Sequence, residues 1–295
     1  MNAHSDGPTR ALVLGGGGPV GIGWQTGLLT GLREAGLDLA DAEVIVGTSA
    51  GSVVGALAAA RIDFTTALTG LTGLAEAVDS TALVAGMQAL VTALFQVAPG
   101  ADPRQVVAEI AKAAEQADTM DEQSYLDLYA VVADTPWPKG FHCTVNDART
   151  GESLVWGPDS GVPLRHAVAA SCAVPFIYPP VSVNGSRYVD GGIVSPLNAT
   201  AAPSTDRMVV ISCSPLAATV PGMPAWLTQT SADELAAVGD ARWLATVEPG
   251  GELADDLANM MNPRLTPQAF GIGLRQAGQE LDRLAAVWTG ERSSV

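Results

Sequence analysis

The stretch LVLGGGGPVGIGWQTGLL, Leu12 to Leu29, begins as an apolar strand, passes through four consecutive glycines and continues as a helix. Gly16, Gly18 and Gly21 satisfy the spacing G-x-G-x-x-G, which seats a dinucleotide pyrophosphate at a helix N-terminus. The same backbone can instead aim N–H groups at the oxyanion of an ester under attack. The first strand leaves both readings open.

The next strand separates them. A dinucleotide site needs an acidic residue at the end of the second strand, roughly 20 residues beyond the glycines, to bind the ribose hydroxyls. That strand is EVIV, Glu43 to Val46, and Gly47 and Thr48 stand where the acid belongs. Asp38 and Asp41 precede the strand and Glu43 opens it. The strand runs directly into G-x-S-x-G, Gly47-Thr48-Ser49-Ala50-Gly51, and an Ala-rich helix comes after it. That is the setting of a nucleophile elbow, a sharp turn that exposes a serine hydroxyl. Gly47 and Gly51 remove the Cβ atoms that would clash in so tight a turn. The new helix points its positive end at Ser49, which favours negative charge developing there.

A serine nucleophile needs a base, and the chain has three histidines. His4 lies in a polar N-terminal tail. His142, in FHCTV, reads as a sheet residue, and His166, in PLRHAVAAS, as a solvent-facing helical residue beside Arg165. The hydrolase order of serine, acid and late histidine also fails, because no histidine follows residue 166. The remaining candidate is Asp190 in SRYVDGGIVSPLN, at a strand end before a Gly191-Gly192 turn. Asp-Gly is also a common hairpin signal. The elbow, the glycine loop and the lack of a suitable histidine together favour Asp190 as the base.

GGGGPVG, GTSAG, ASCAVPFIYPPV (Ala170 to Val181) and DGG together resemble the patatin-like phospholipase family, over roughly residues 10 to 215. The resemblance implies a three-layer α/β/α sandwich with lipid acyl hydrolase activity through a serine–aspartate dyad. By motif Ser49 corresponds to the nucleophile, Asp190 to its partner, and the backbone N–H groups around Gly16, Gly17 and Gly18 to the oxyanion hole. One departure stands out: the family commonly carries Arg or Lys just after these glycines, and this chain has Pro19-Val20. Ester hydrolysis is therefore the firmer expectation, and phospholipid specificity the weaker. An Asp of ordinary pKa near 4 is a poor base for a hydroxyl, so a dry site must raise its basicity. An acyltransferase using the same acyl-enzyme and a non-catalytic lipid- or acyl-binding module are the alternatives.

At 295 residues, 47% hydrophobic and only 16% charged, the chain can bury one large core. It reads as a single hydrolase domain, core about 10–215, with a helical C-terminal extension about 216–295. The N-terminus lacks an apolar signal segment, and a cytoplasmic location is the default expectation. Cys143, Cys172 and Cys213 suggest neither a disulfide framework nor a zinc site, and read as small core residues. No cofactor or metal is expected. A net charge of −16 argues against nucleic acid and against anionic bilayers. It leaves a lipid or acyl-ester substrate open, with transient contact at a membrane or micelle surface.

The coarse pattern is strand Arg10–Leu14, helix from about Gly21 to Ala35, strand Glu43–Val46 and helix Ser49 to about Ala60. Gly23, Gly27 and Gly31 make a smooth face on the first helix for close approach of a neighbour. A helical insertion, Asp63 to Ala130, breaks near Pro99 to Pro103. Strands return at Phe141–Asn146, Ser153–Trp156, Arg187–Asp190 and Arg207–Cys213, with a helix at Leu164–Ala170. Such alternation predicts a mainly parallel sheet covered on both faces. The uncharged run Ser80–Ala101 places Leu83, Met87, Leu90, Leu94 and Val97 at helical spacing, as a buried helix or a lid over an acyl chain. Pro215–Pro224 reads as a loop, Ser231 and Glu234 as a capping box, and Phe270–Trp288 as an amphipathic helix. Trp226, Trp243 and Met260-Met261 read as core or pocket residues without assignment.

Overall fold

The computed structural model describes residues 9–74, 80–98, 100–193, 195–213, 216, 225–238, 243–254 and 259–290. The elements follow in the order β1 (Arg10–Leu14), α1 (Gly18–Glu34), β2 (Val44–Gly47), α2 (Ala50–Ala59), α3 (Phe64–Leu74), α4 (Ser80–Phe95), α5 (Pro103–Ala114) and α6 (Glu122–Asp127). Next come β3 (Phe141–Asp147), β4 (Ser153–Trp156), α7 (Leu164–Ser171), β5 (Val181–Val183), β6 (Ser186–Asp190) and β7 (Arg207–Ile211). The chain continues through α8 (Ala225–Val238), β8 (Trp243–Val247), α9 (Gly251–Ala254) and α10 (Thr266–Thr289).

One eight-stranded sheet has the order β5-β6-β3-β2-β1-β7-β8, with β4 also paired to β3. The pairs of β1 with β2 and β7, of β2 with β3, and of β7 with β8 are parallel. Those of β3 with β4 and β6, and of β5 with β6, are antiparallel. The central strand is apolar on both faces, as a strand covered twice must be. Leu12 and Leu14 pack with Trp24, Leu28, Val54 and Ile272 in the larger core. Ala11 and Val13 join Val46, Met208 and Val210 on the other face, under Leu197 and Ala199 and against Leu235 and Val238 of α8. This is the layered α/β architecture the sequence predicts.

The glycine face of α1 meets α10. A Cβ at Gly23 would lie 2.3 Å from Thr266 O, one at Gly27 2.0 Å from Phe270 O, and one at Gly273 of α10 2.1 Å from Trp24 O. The backbones therefore touch where side chains would hold them apart. Trp24 Nε1 donates to Gln276 Oε1 at 2.9 Å, which fixes the register of the two helices.

Several details differ from the sequence reading. Helix α1 begins at Gly18 rather than near Gly21, because Pro19 suits the first turn. Ser231 sits inside α8 and caps nothing. Its proposed partner Glu234 instead accepts from Ser195 Oγ at 2.5 Å and Ala199 N–H at 2.9 Å. The C-terminal region is not wholly helical, since Trp243 opens β8 beside β7. Asn184 and Gly185 both have positive φ and turn β5 into β6, a hairpin the sequence reading missed. In α4, Leu83 and Leu94 are buried while Val84 and Phe95 are exposed, and Leu90 and Leu94 pack near Val189 and Ile193. His4, Pro99, the Trp226 side chain and all of the 215–224 loop except Leu216 lie outside the described residues. Among those described, no helix is long and apolar enough to cross a membrane.

Candidate active site

Ser49 occupies the turn between β2 and α2 with φ 53° and ψ −120°, a left-handed-side conformation that costs about 1–3 kcal/mol for a non-glycine residue. The flanking glycines make it reachable. A Cβ at Gly47 would lie 2.4 Å from Gly51 O, and one at Gly51 2.0 Å from Leu14 O. The turn is pinned by Thr48 N–H to Leu14 O (3.0 Å), Gly51 N–H to Thr48 O (2.8 Å) and Ser49 N–H to Ser171 Oγ (3.0 Å).

The glycine loop between β1 and α1 lies against this turn, with the Cβ position of Gly16 3.3 Å from Ser49 Cβ. Gly15 N–H donates to Ile211 O at 2.9 Å and Gly16 N–H to Pro196 O at 2.8 Å. Gly16 thus braces the loop with the donor that motif matching offers to an oxyanion. Among the described residues, the Gly17 and Gly18 N–H groups donate to no protein acceptor. They stand at the N-terminus of α1, where orphan donors gather. Beneath the loop Gln25 Nε2 donates to Gly15 O and to Cys213 Sγ, each at 2.8 Å. A Cβ at Gly17 would lie 2.5 Å from Cys213 Cβ, which explains the glycine there.

Asp190 ends β6 and is 4% exposed. Its Oδ1 accepts from Gly192 N–H at 2.6 Å, and its carbonyl oxygen from Asn146 Nδ2 at 2.7 Å. Burial pushes its carboxyl up to about 7, while the Ser49 hydroxyl and the Gly192 N–H, both facing the carboxylate, pull it back. Gly191 is required because a Cβ would lie 2.4 Å from Thr144 Oγ1. Asn198, in left-handed conformation, ties the two turns together. Its Nδ2 reaches Ser195 O (2.6 Å), Gly191 O (3.2 Å) and Thr48 Oγ1 (3.1 Å), and Thr48 Oγ1 lies 2.9 Å from Thr144 Oγ1.

A cavity of about 90 Å³ opens on Ser49, with Ile22, Leu128, Tyr129, Cys172, Tyr178 and Met261 among its walls. Its lining is mostly apolar. Burial, then the nearby Asp190 charge, pushes the Cys172 thiol up to about 12, so this lining thiol stays protonated. His142, on β3, has Nδ1 3.1 Å from Gly140 O. His166 is half-buried on α7 rather than solvent-facing, and burial beside Arg165 lowers its pKa. Neither histidine lines the cavity.

The carboxylates weighed for a ribose have other partners. Glu43 pairs with Arg10 at 2.9 Å, and Arg61 pairs with Asp38 at 2.6 Å and with Asp41. Sequence reasoning missed Ser171, Asn198 and Gln25 as supports. All three lie inside the motif-bearing stretches, but a hydroxyl or amide acting as a support leaves no spacing signal.

A family model described as patatin-like phospholipase matches residues 12–203. The chain belongs to the patatin-like phospholipase family. That family is one of lipid hydrolases. Uncharacterized NTE family proteins of Mycobacterium tuberculosis and Mycobacterium bovis are each 32% identical over 195 residues, covering 65% of this chain and 45% of the relative. The chain therefore spans less than half the length of the curated relatives it matches. Among solved structures, VipD from Legionella pneumophila is similar at 13% identity and a TM-score of 0.45, over 94% of this chain and 67% of that one. ExoU of Pseudomonas aeruginosa, in complex with SpcU, gives 20% identity and a TM-score of 0.37, over 92% and 52%. The patatin-like region of this chain holds Ser49, Asp190 and the glycine loop, and ends before α8.

Proposed function

We propose that the chain is a lipid acyl or carboxylic ester hydrolase in which Ser49 is the nucleophile and Asp190 its base. The observation that carries this reading is a carboxyl raised to about 7 by burial beside a serine held in an elbow. A base near the working pH is both ionised and basic enough to accept a proton. Ser49 Oγ attacks the acyl carbonyl as its proton passes to Asp190, and the carbonyl oxygen gathers charge toward the Gly17 and Gly18 N–H groups. Each such donor contributes about 3 kcal/mol to barrier lowering in comparable sites. Asp190 returns the proton to the leaving alcohol as the C–O bond breaks, which leaves an acyl-Ser49 ester. A water then gives its proton to Asp190 and attacks that ester, and the proton returns to Ser49 as the carboxylic acid departs. The apolar cavity supports an acyl chain as the bound part.

The test is hydrolysis of p-nitrophenyl esters of increasing acyl length by the wild type, Ser49→Ala and Asp190→Asn. Loss of nearly all turnover in both folded variants supports the dyad. A wild type inert at every length, or an Asp190→Asn enzyme within tenfold of wild type, overturns it.

A further inference from the structure

The segment Met260–Thr266 lies beyond the residues matched by the family model, yet it lines the pocket. It grips the glycine loop where Pro19-Val20 replaces the family's basic residue. Val20 N–H donates to Met260 O at 3.2 Å, and Thr266 Oγ1 donates to Pro19 O at 3.2 Å. Gly18, at φ +58°, has no room for a side chain, since its Cβ would lie 2.6 Å from Met260 O and 2.8 Å from Met261 Sδ. Met261, Pro263 and Thr266 face the cavity beside Ser49.

We propose that Met261 is the specificity-determining residue for the acyl group, a movable wall carried on a segment clasped to the glycine loop. This deepens the hydrolase reading and rests on it. The tyrosine part of the wall is held by hydrogen bonding and ring stacking. Tyr129 Oη lies 3.0 Å from Tyr125 Oη, which donates to Ala169 O at 3.0 Å, and the Tyr125 and Tyr178 rings stack at 4.8 Å. Met261 has an unbranched side chain with three rotatable bonds, the kind that yields to or fills an irregular space. The cavity of about 90 Å³ is smaller than the roughly 150 Å³ cavity that accepts benzene. A short acyl group fills it, and a longer one must displace or bypass the thioether.

The experiment compares kcat/KM for p-nitrophenyl acetate, butyrate, octanoate and palmitate in the wild type, Met261→Ala and Met261→Phe, with Ser49 labelling by a fluorophosphonate in each. Met261→Ala is expected to raise the octanoate-to-acetate ratio about tenfold, and Met261→Phe to lower it by a similar factor, the range that a methylene or two of pocket space commands. Opposite shifts are a signature that general damage to the fold does not produce. Melting curves and Met261→Leu, closest in volume and expected to keep the wild-type ratio, guard against an unfolded variant. Unchanged ratios in both Ala and Phe variants, or equal loss at every chain length with Ser49 still labelled, overturn the assignment of Met261 alone. A wild type that neither labels at Ser49 nor turns over any ester overturns the hydrolase reading and this inference with it.

Discussion

Lowering the pH from 8 to 6 should remove about nine-tenths of kcat/KM. The Asp190 carboxyl is raised from 3.8 to about 7 by burial, and in the proposed dyad only its ionised form can take the Ser49 proton. With that pKa the ionised fraction falls from about 0.9 at pH 8 to about 0.1 at pH 6 and about 0.01 at pH 5. A carboxyl at its ordinary value would leave the rate flat over the whole range. The same shift acts on stability, with a definite sign. A folded-state pKa above the unfolded one contributes stability that is complete below about pH 4 and is lost as the pH rises through 7. The burden on the wild type is on the order of a few kcal/mol at pH 8 and shrinks as the pH falls toward 5. Asp190→Asn should therefore melt higher than wild type at pH 8, with the gap shrinking toward pH 5. The assay is p-nitrophenyl butyrate hydrolysis read at the isosbestic wavelength of the product, paired with thermal melts across the same buffers. A flat kcat/KM from pH 5 to 8 refutes the argument, as does an inflection near 7 that disappears in His166→Gln.

Replacing both His142 and His166 by Gln should leave most of kcat, and a thousandfold loss in steady-state turnover would transfer the base role to a histidine. Asn198→Ala removes the amide that joins the Thr48 and Gly191 turns; kcat should drop about tenfold or more, about 1.4 kcal/mol, with KM little changed. Gly51→Ala puts a methyl 2.0 Å from Leu14 O, and circular dichroism and expression should report an unfolded or insoluble chain. Gly27→Val forces a branched side chain into Phe270 O of α10; the melting temperature should fall by several degrees, and an unchanged value would contradict the helix contact.

The elements with strong local grammar were legible from the residues. β1, the glycine turn, the elbow and α2 follow one another in LVLGGGG and IVGTSAG because each local conformation demands its own residue type. The smooth face of α1 was visible too, but its neighbour was not, since α10 arrives more than two hundred residues later. Asn184-Gly185 was a readable hairpin signal that went unread beside the prolines of PFIYPP. The Ser231–Glu234 spacing imitated a cap, whereas Glu234 serves a distant turn at Ser195 and Ala199. Met261 reaches the cavity from outside every motif, because a pocket wall needs only bulk at a place and no sequence spacing records it. The glycine loop shows the same limit: residues 16 to 18 read alike in the sequence, and only the fold shows Gly16 N–H bonded to Pro196 O.

The most direct measurement of the central claim is peptide mapping of the covalent intermediate. The enzyme is mixed with a p-nitrophenyl ester, quenched in acid within its turnover time, digested and analysed by mass spectrometry. The account predicts the acyl mass on the peptide bearing Ser49, absent in Ser49→Ala and accumulating in a burst with released p-nitrophenol. Turnover with no acyl mass on Ser49, or with that mass on another residue, would contradict it.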